Sequence, residues 1–380
     1  MAGSDFQPAP PQSDSGRWEN GVWLVEGEQG VFGPHSGLQD APYEPEYQPE
    51  PVDVGEYVDE SQTRGRGWIP NFPSRWEIAA YVSLFSVALL MRLYDLGTRA
   101  VHHDESLHGV FANNFANGEG YIHNPLMHGP FLFHSTAASF FLFGSNDFTL
   151  RIVEVLFGSA LILVPLLLRH RLGNVGALLV AGMLAFSPTM LYFSRFARND
   201  IFMAVWTLAL VGVVWRYMDE KQTKWLYAAA ALMALGFTTK ETQFIVVALV
   251  GLGLLALSWK EIGEWIWGQR GLNELGSASV LAVVFGAMTL PMLGPFSGIF
   301  QDTFGITLTA TEGTTGLATG EADGFGVIVA LVITGVLVVI SFAVILKWNF
   351  KIGLIVMAIF WLITFLLFTS LGTNLIGITS

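Results

Sequence analysis

Nine residues, Val101 to Gly109 (VHHDESLHG), hold His102, His103 and His108 beside the adjacent carboxylates Asp104 and Glu105. Neighbouring carboxylates suit general-base work or divalent-metal binding. They point in different directions, so one can act on a substrate while the other orients it or holds a metal. The downstream stretch YIHNPLMHGP adds His123 and His128. His103, Glu105, His108 and His128 are candidate ligands for Mn, Mg or Zn, although no strict zinc spacing such as HExxH is present. The plainer alternative is an interfacial loop whose histidines bond backbone and water.

Two further polar groups accompany this stretch. SPTMLYFSRFARND carries Arg195, Arg198 and Asp200, and GFTTKETQF carries Lys240 and Glu241. Arginine forks match phosphate oxygens and lysine adds a point charge, so Arg195, Arg198 and Lys240 read as a site for a lipid phosphate. The competing account is internal pairing, Arg198 with Asp200 and Lys240 with Glu241. Arg92 and Arg99 read as ordinary snorkelling or loop residues. Arg151 and Glu154, three apart on one helix face, either pair with each other or touch the site.

The elements that must position these groups are membrane helices. The 380 residues are 52% hydrophobic and only 13% charged, outside the soluble norm. Segments 77–93, 152–168, 175–193, 201–217, 225–239, 244–259, 277–293, 325–346 and 352–369 each read as a span. A shorter apolar run, 130–143, contains His134. If that run lies in the interface, all five basic clusters fall on one side of the membrane with the amino terminus. The acidic loop 294–324 then falls on the other side, as the positive-inside rule requires. This topology makes 94–151 a long first outer loop and turns the VHHDESLHG chemistry outward. WKEIGEWIWGQRG, with Trp259, Trp265 and Trp267, reads as an amphipathic interfacial helix on the inner side.

Residues 1–75 are polar and rich in Pro, Gly, Glu and Gln, so they are expected to form a disordered acidic tail on the cytoplasmic side. No apolar region follows Met1, so the segment does not read as a cleaved signal peptide. Residues 76–380 form the transmembrane domain. The net charge of −12 does not favour nucleic acid as a partner, and the absence of cysteine excludes disulfides and thiolate catalysis.

An outward Asp-Glu pair after the first span, an LFG…R entry to the second, an SP…SR..R.D outer turn and a later TK resemble the GT-C membrane glycosyltransferases. These include the dolichyl-phosphate-mannose protein mannosyltransferases and the bacterial aminoarabinose transferases. HHDESLHG, HGPFLFH, SRFARNDIF and TTKE are more closely similar to the archaeal and bacterial flippase-activity-associated proteins. The resemblance covers roughly Trp76 to Ile378, and its specific part ends near Phe244. It implies an all-α polytopic bundle of about nine spans with membrane-parallel helices in the first outer loop. By motif it makes Asp104 the base that deprotonates an acceptor hydroxyl and Glu105 its partner. Asp200 becomes a second acidic position near acceptor or metal, and Lys240 a lysine associated with the donor phosphate.

The histidine-rich loop departs from the mannosyltransferase pattern, and no carboxy-terminal soluble domain follows. The family continues past GTN, so Ser380 is expected to be a truncated end. The expected function is transfer of a sugar from a polyprenyl-phosphate-linked donor to a glycan or protein acceptor outside the cell membrane. The alternative is a non-catalytic accessory of lipid-linked sugar flipping or assembly. A third reading, a subunit whose histidines ligate haem or a pigment, calls for an isolated histidine within a span. The histidines lie mainly in the outer loop instead.

Overall fold

A computed structural model describes residues 16–19, 22–26, 32–34, 74–121, 127–294 and 324–373. The chain divides into two compact units, Met1–Asn71 and Phe72–Ser380. His123, the loop 295–323 and the carboxy-terminal residues 374–380 lie outside the described residues.

In the first unit, β1 (Gly16–Glu19), β2 (Val22–Glu26) and β3 (Phe32–Pro34) form an antiparallel sheet in that order. Trp18 pairs with Trp23 and Glu19 with Val22. The expectation of a tail without regular structure does not hold for these three strands. Tryptophan, valine and leucine favour a pleated surface, and Asn20-Gly21 between the first two strands is the favoured pair for short hairpin connections. Composition averaged over 75 residues conceals so local a signal. Apart from Ser74 and Arg75, which open the first helix, the rest of the predicted tail lies outside the described residues.

The described part of the second unit is helical. Helix α1 (Arg75–Leu93) starts at Ser74, whose hydroxyl accepts the Glu77 amide. Helices α2 (His103–Ala116) and α3 (Phe131–Phe143) follow in the first long connection. Helix α4 (Asp147–Ala160) continues through a 3-10 stretch, Leu161–Leu168, into α5 (Arg169–Phe186). These 40 residues would extend about 60 Å, twice a bilayer core. Gly173, with φ 71°, breaks the run into two helical pieces. Pro188 then starts a separate short α6 (Pro188–Phe193), where the sequence reads one span through 193. Helices α7 (Asp200–Glu220), α8 (Thr223–Phe237), α9 (Thr242–Ile266), α10 (Ser277–Thr289), α11 (Gly324–Trp348) and α12 (Phe350–Phe368) complete the bundle.

Each predicted span overlaps a helix, and six described stretches are long and apolar enough to cross a membrane. Helices α3 and α10, with 13 residues each, extend about 20 Å and are shorter apolar helices than those six. Trp259 and Trp265 belong to the unbroken α9 and do not form a separate interfacial helix.

Lipid tails are as apolar as leucine, so close packing has to hold such helices together, and small residues permit it. Ala88 of α1 meets Ala181 and Ala185 of α5, all fully buried. Ala229, Ala230 and Ala234 give α8 the same kind of face in the largest core. These contacts fix where the ends of α1, α6 and α8 meet the loop that carries α2.

Candidate functional site

The start of α2 sorts its two carboxylates. His102 caps the helix: its Nδ1 accepts the Asp104 amide at 3.2 Å, while its own amide donates to Glu105 Oε2 at 3.0 Å. This reciprocal cap turns Glu105 inward and leaves Asp104 at the rim.

Glu105 is fully buried. Arg151 grips it with two bonds of 2.8 Å, Arg99 Nη2 donates to Oε2 at 3.0 Å, and the Ala197 amide donates to Oε1 at 3.0 Å. Burial pushes this carboxyl up, but the Arg151 guanidinium and the His102 and Ala197 amides outweigh it and hold the group at about 2. Glu105 therefore joins α2, α4 and the 194–200 turn. The sequence expectation of a catalytic partner or metal ligand is corrected here, because both oxygens are consumed by the fold.

Asp104 lies in an open row of alternating charges. Its Oδ2 is 3.5 Å from Arg198 Nη1, Arg198 Nε is 3.7 Å from Asp200 Oδ2, and Asp200 Oδ1 accepts Lys240 Nζ at 2.9 Å. The Asp104 side chain keeps 37% of its surface exposed. The row draws on α2, the turn before α7 and the turn between α8 and α9. Four predicted residues thus come together. Lys240 pairs with Asp200 and not with its neighbour Glu241.

Glu241 instead meets His128, whose Nδ1 lies 2.8 Å from Oε2. Burial raises the Glu241 carboxyl, but His128, its own backbone amide and the Lys240 charge together outweigh this and hold the group below the usual range. The HGP motif is seated directly on the TTK turn: the Gly129 amide donates to Thr239 O at 3.1 Å and the Phe131 amide to Thr238 O at 2.8 Å. A Cβ on Gly129 would overlap the Thr238 carbonyl, so glycine is required by close approach.

Arg195 does not join the row. Its Nη2 donates to Tyr94 O at 2.6 Å and to Asp95 O at 3.3 Å. The predicted convergence of Arg195 with Arg198 and Lys240 is corrected on this point. Phe196 is near two other arginines, with Arg99 5.1 Å and Arg198 5.9 Å from its ring centre. Arg92 is no snorkelling residue. It is fully buried and donates to Ser194 Oγ and to the Ala88, Ala185 and Leu184 carbonyls, which pins the SPTMLYFSRF turn to α1.

The predicted metal ligands do not fit a metal. Glu105 is saturated, His108 Nδ1 lies 3.0 Å from Ala197 O, His128 is engaged by Glu241, and His103 is exposed on the surface. Burial pushes the His108 imidazole down from its ordinary value. Asp104 and Asp200 are bridged by a guanidinium. Among the described residues no group of three or more His, Asp or Glu is placed to hold a metal ion.

Residues 127–288 are similar to the dolichyl-phosphate-mannose-protein mannosyltransferases. That family's model matches this stretch, which holds His128, Arg151, Arg198, Asp200 and Lys240; Asp104 and Glu105 precede it. No curated protein matches the chain. Among solved structures, the archaeal oligosaccharyltransferase AglB from Archaeoglobus fulgidus, in complex with an inhibitory peptide and a dolichol-phosphate, is 17% identical with a TM-score of 0.45. The match covers 80% of this chain and 38% of that one. An oligosaccharyltransferase from the same organism, in complex with Zn and sulfate, is 17% identical with a TM-score of 0.47, over 78% of this chain and 40% of that one. The chain thus spans about two fifths of the length of these structures.

Sequence reasoning missed the clasp of Arg151 and Arg99 on Glu105 and the cap by His102. Arg151 left a signal, an arginine directly ahead of the span 152–168. Such a charge is costly at a membrane edge unless a carboxylate meets it.

Proposed function

We propose that the chain is a GT-C-like membrane glycosyltransferase. It moves a sugar from a polyprenyl-phosphate-linked donor to a glycan or protein acceptor at the outer face of the cell membrane. In this reading α2 lies outside and the amino terminus is cytoplasmic. The observation that supports it best is the row Asp104–Arg198–Asp200–Lys240, a base beside two cations at one rim of the bundle.

The acceptor hydroxyl gives its proton to Asp104 as its oxygen bonds to the anomeric carbon. The bond from that carbon to the phosphate oxygen breaks, and polyprenyl phosphate leaves. Arg198 and Lys240 stabilise the charge that builds on the leaving phosphate. Glu105 touches neither partner. It holds the α2 cap and the Ala197 amide in register, so that Asp104 and Arg198 stay opposed.

The test is transfer from a polyprenyl-phosphate hexose by purified Asp104→Asn. The variant keeps size and most hydrogen bonding, so turnover should fall about 100- to 10,000-fold while donor binding persists. Transfer at the wild-type rate would remove the catalytic reading. It would favour the accessory reading, which one observation supports: Glu154, within α4, is fully buried and neither oxygen has a hydrogen-bond partner among the described residues. A flipping pathway would draw on polar groups of that kind.

A further inference from the structure

A cavity of about 280 Å³ is lined by Leu96, Arg99, Leu191, Tyr192 and Arg195, and none of the four residues of the charged row lines it. Its charge is unbalanced. Arg99 shares the single carboxylate of Glu105 with Arg151, and Arg195 makes no ion pair among the described residues, bonding only the Tyr94 and Asp95 carbonyls. One wall is aromatic: Tyr192 stacks on Phe196 with ring centres 5.6 Å apart, and the Arg99 guanidinium sits 5.7 Å from the Tyr192 ring centre. The other wall is apolar. The cavity adjoins the end of α1, where Tyr94 is 78% exposed and Tyr192 50% exposed, as in the aromatic belt of a membrane interface.

We propose that this cavity binds the phosphate of a lipid headgroup, at a site separate from the charged row. Two guanidinium groups match the phosphate oxygens. Leu96, Leu191 and the exposed tyrosines meet the glycerol or isoprenoid carbons next to them. Neither Arg198 nor Lys240 lines this cavity, so a lipid can occupy it while those two serve the reaction. The site stands on its own geometry and does not depend on the transferase reading.

The experiment counts lipid retained by the purified full chain in native mass spectrometry. The probes are phosphatidylglycerol, a polyprenyl monophosphate and diacylglycerol. Wild type should retain the phosphorylated lipids and release diacylglycerol. A preference between the first two identifies the lipid, and either supports the site only where its retention falls with Arg195→Gln and not with Lys240→Gln. Arg195→Gln should reduce phosphatidylglycerol retention by about tenfold, the loss of one charge-assisted contact. Arg195→Lys, which keeps the charge, should restore most of it and excludes misfolding as the cause. Lys240→Gln should leave phosphatidylglycerol retention unchanged. Equal retention of diacylglycerol, or no effect of Arg195→Gln, overturns the proposal. So does a loss with Lys240→Gln as large as that with Arg195→Gln, since the lipid would then occupy the charged row.

Discussion

Arg151 closes on Glu105 from 46 residues away, with Nε 2.8 Å from one carboxylate oxygen and Nη2 2.8 Å from the other. Both side chains are fully buried, and the guanidinium also donates to the Leu96 and Arg99 carbonyls. Removing one partner strands a charge. Arg151→Met should therefore destabilise the fold by about 3–5 kcal/mol. Replacing both, as Glu105→Leu with Arg151→Leu, should cost less than the sum of the single changes. Thermal unfolding in one detergent measures all three, and simple additivity would show that the pair is not a unit.

The same clasp sets an acid limit. Glu105 is held at about 2, below the unfolded carboxylate value of 4.5, so its contribution is complete above pH 4.5 and is lost as pH falls toward 2. The linkage amounts to roughly 3 kcal/mol. Melting temperature should decline steeply across that window in wild type and more shallowly in Glu105→Gln. Parallel curves for the two proteins would locate the acid sensitivity elsewhere.

Asp200 neutralises Lys240 and Arg198 in the resting row. Asp200→Asn should lower the donor KM, because a phosphate no longer competes with the carboxylate. It should also lower kcat by about tenfold, through lost orientation of Arg198. A raised KM with unchanged kcat would instead assign Asp200 to the acceptor.

Gly129→Ala tests the seating of the HGP motif on the TTK turn. The added methyl cannot coexist with the Thr238 carbonyl, so the two turns must part. Stability should fall by about 1–3 kcal/mol, with activity reduced because Lys240 follows the displaced Thr239. An unchanged melting temperature would show that the contact is dispensable.

The proposed topology places His103 outside and Lys224 inside. The chain has no cysteine, so single cysteines at these two exposed positions report cleanly. An impermeant maleimide applied to intact cells should label the first and spare the second. Labelling of both would return α3 to the status of a crossing.

Hydropathy made the helices legible, because each span announces itself over many residues. Asp104, Arg198, Asp200 and Lys240 were legible because charge at a membrane edge demands a reason. Their pairing was not. Lys240 has carboxylates at its sequence neighbour and 40 residues back, and only packing of α7 against α8 selects Asp200 over Glu241. Glu105 misleads for a related reason. In sequence it is the twin of Asp104, and only the cap at His102 turns one inward and the other out. Histidine spacing likewise says nothing about the carbonyl and carboxylate that meet His108 and His128.

The distance along the chain between Glu105 and Arg151 also has a meaning in time. A ribosome adding about 5–20 residues per second delivers Arg151 roughly 2–9 s after Glu105. In that interval the carboxylate has only the half-exposed Arg99 guanidinium for a partner, and α2 lacks the two-bond clasp that later holds its first turn. Asp200 waits in the same way for Lys240, 40 residues on. The charged row is therefore completed only when Lys240 emerges. Any factor that shelters the nascent loop must release it only when the second half of the bundle begins to emerge.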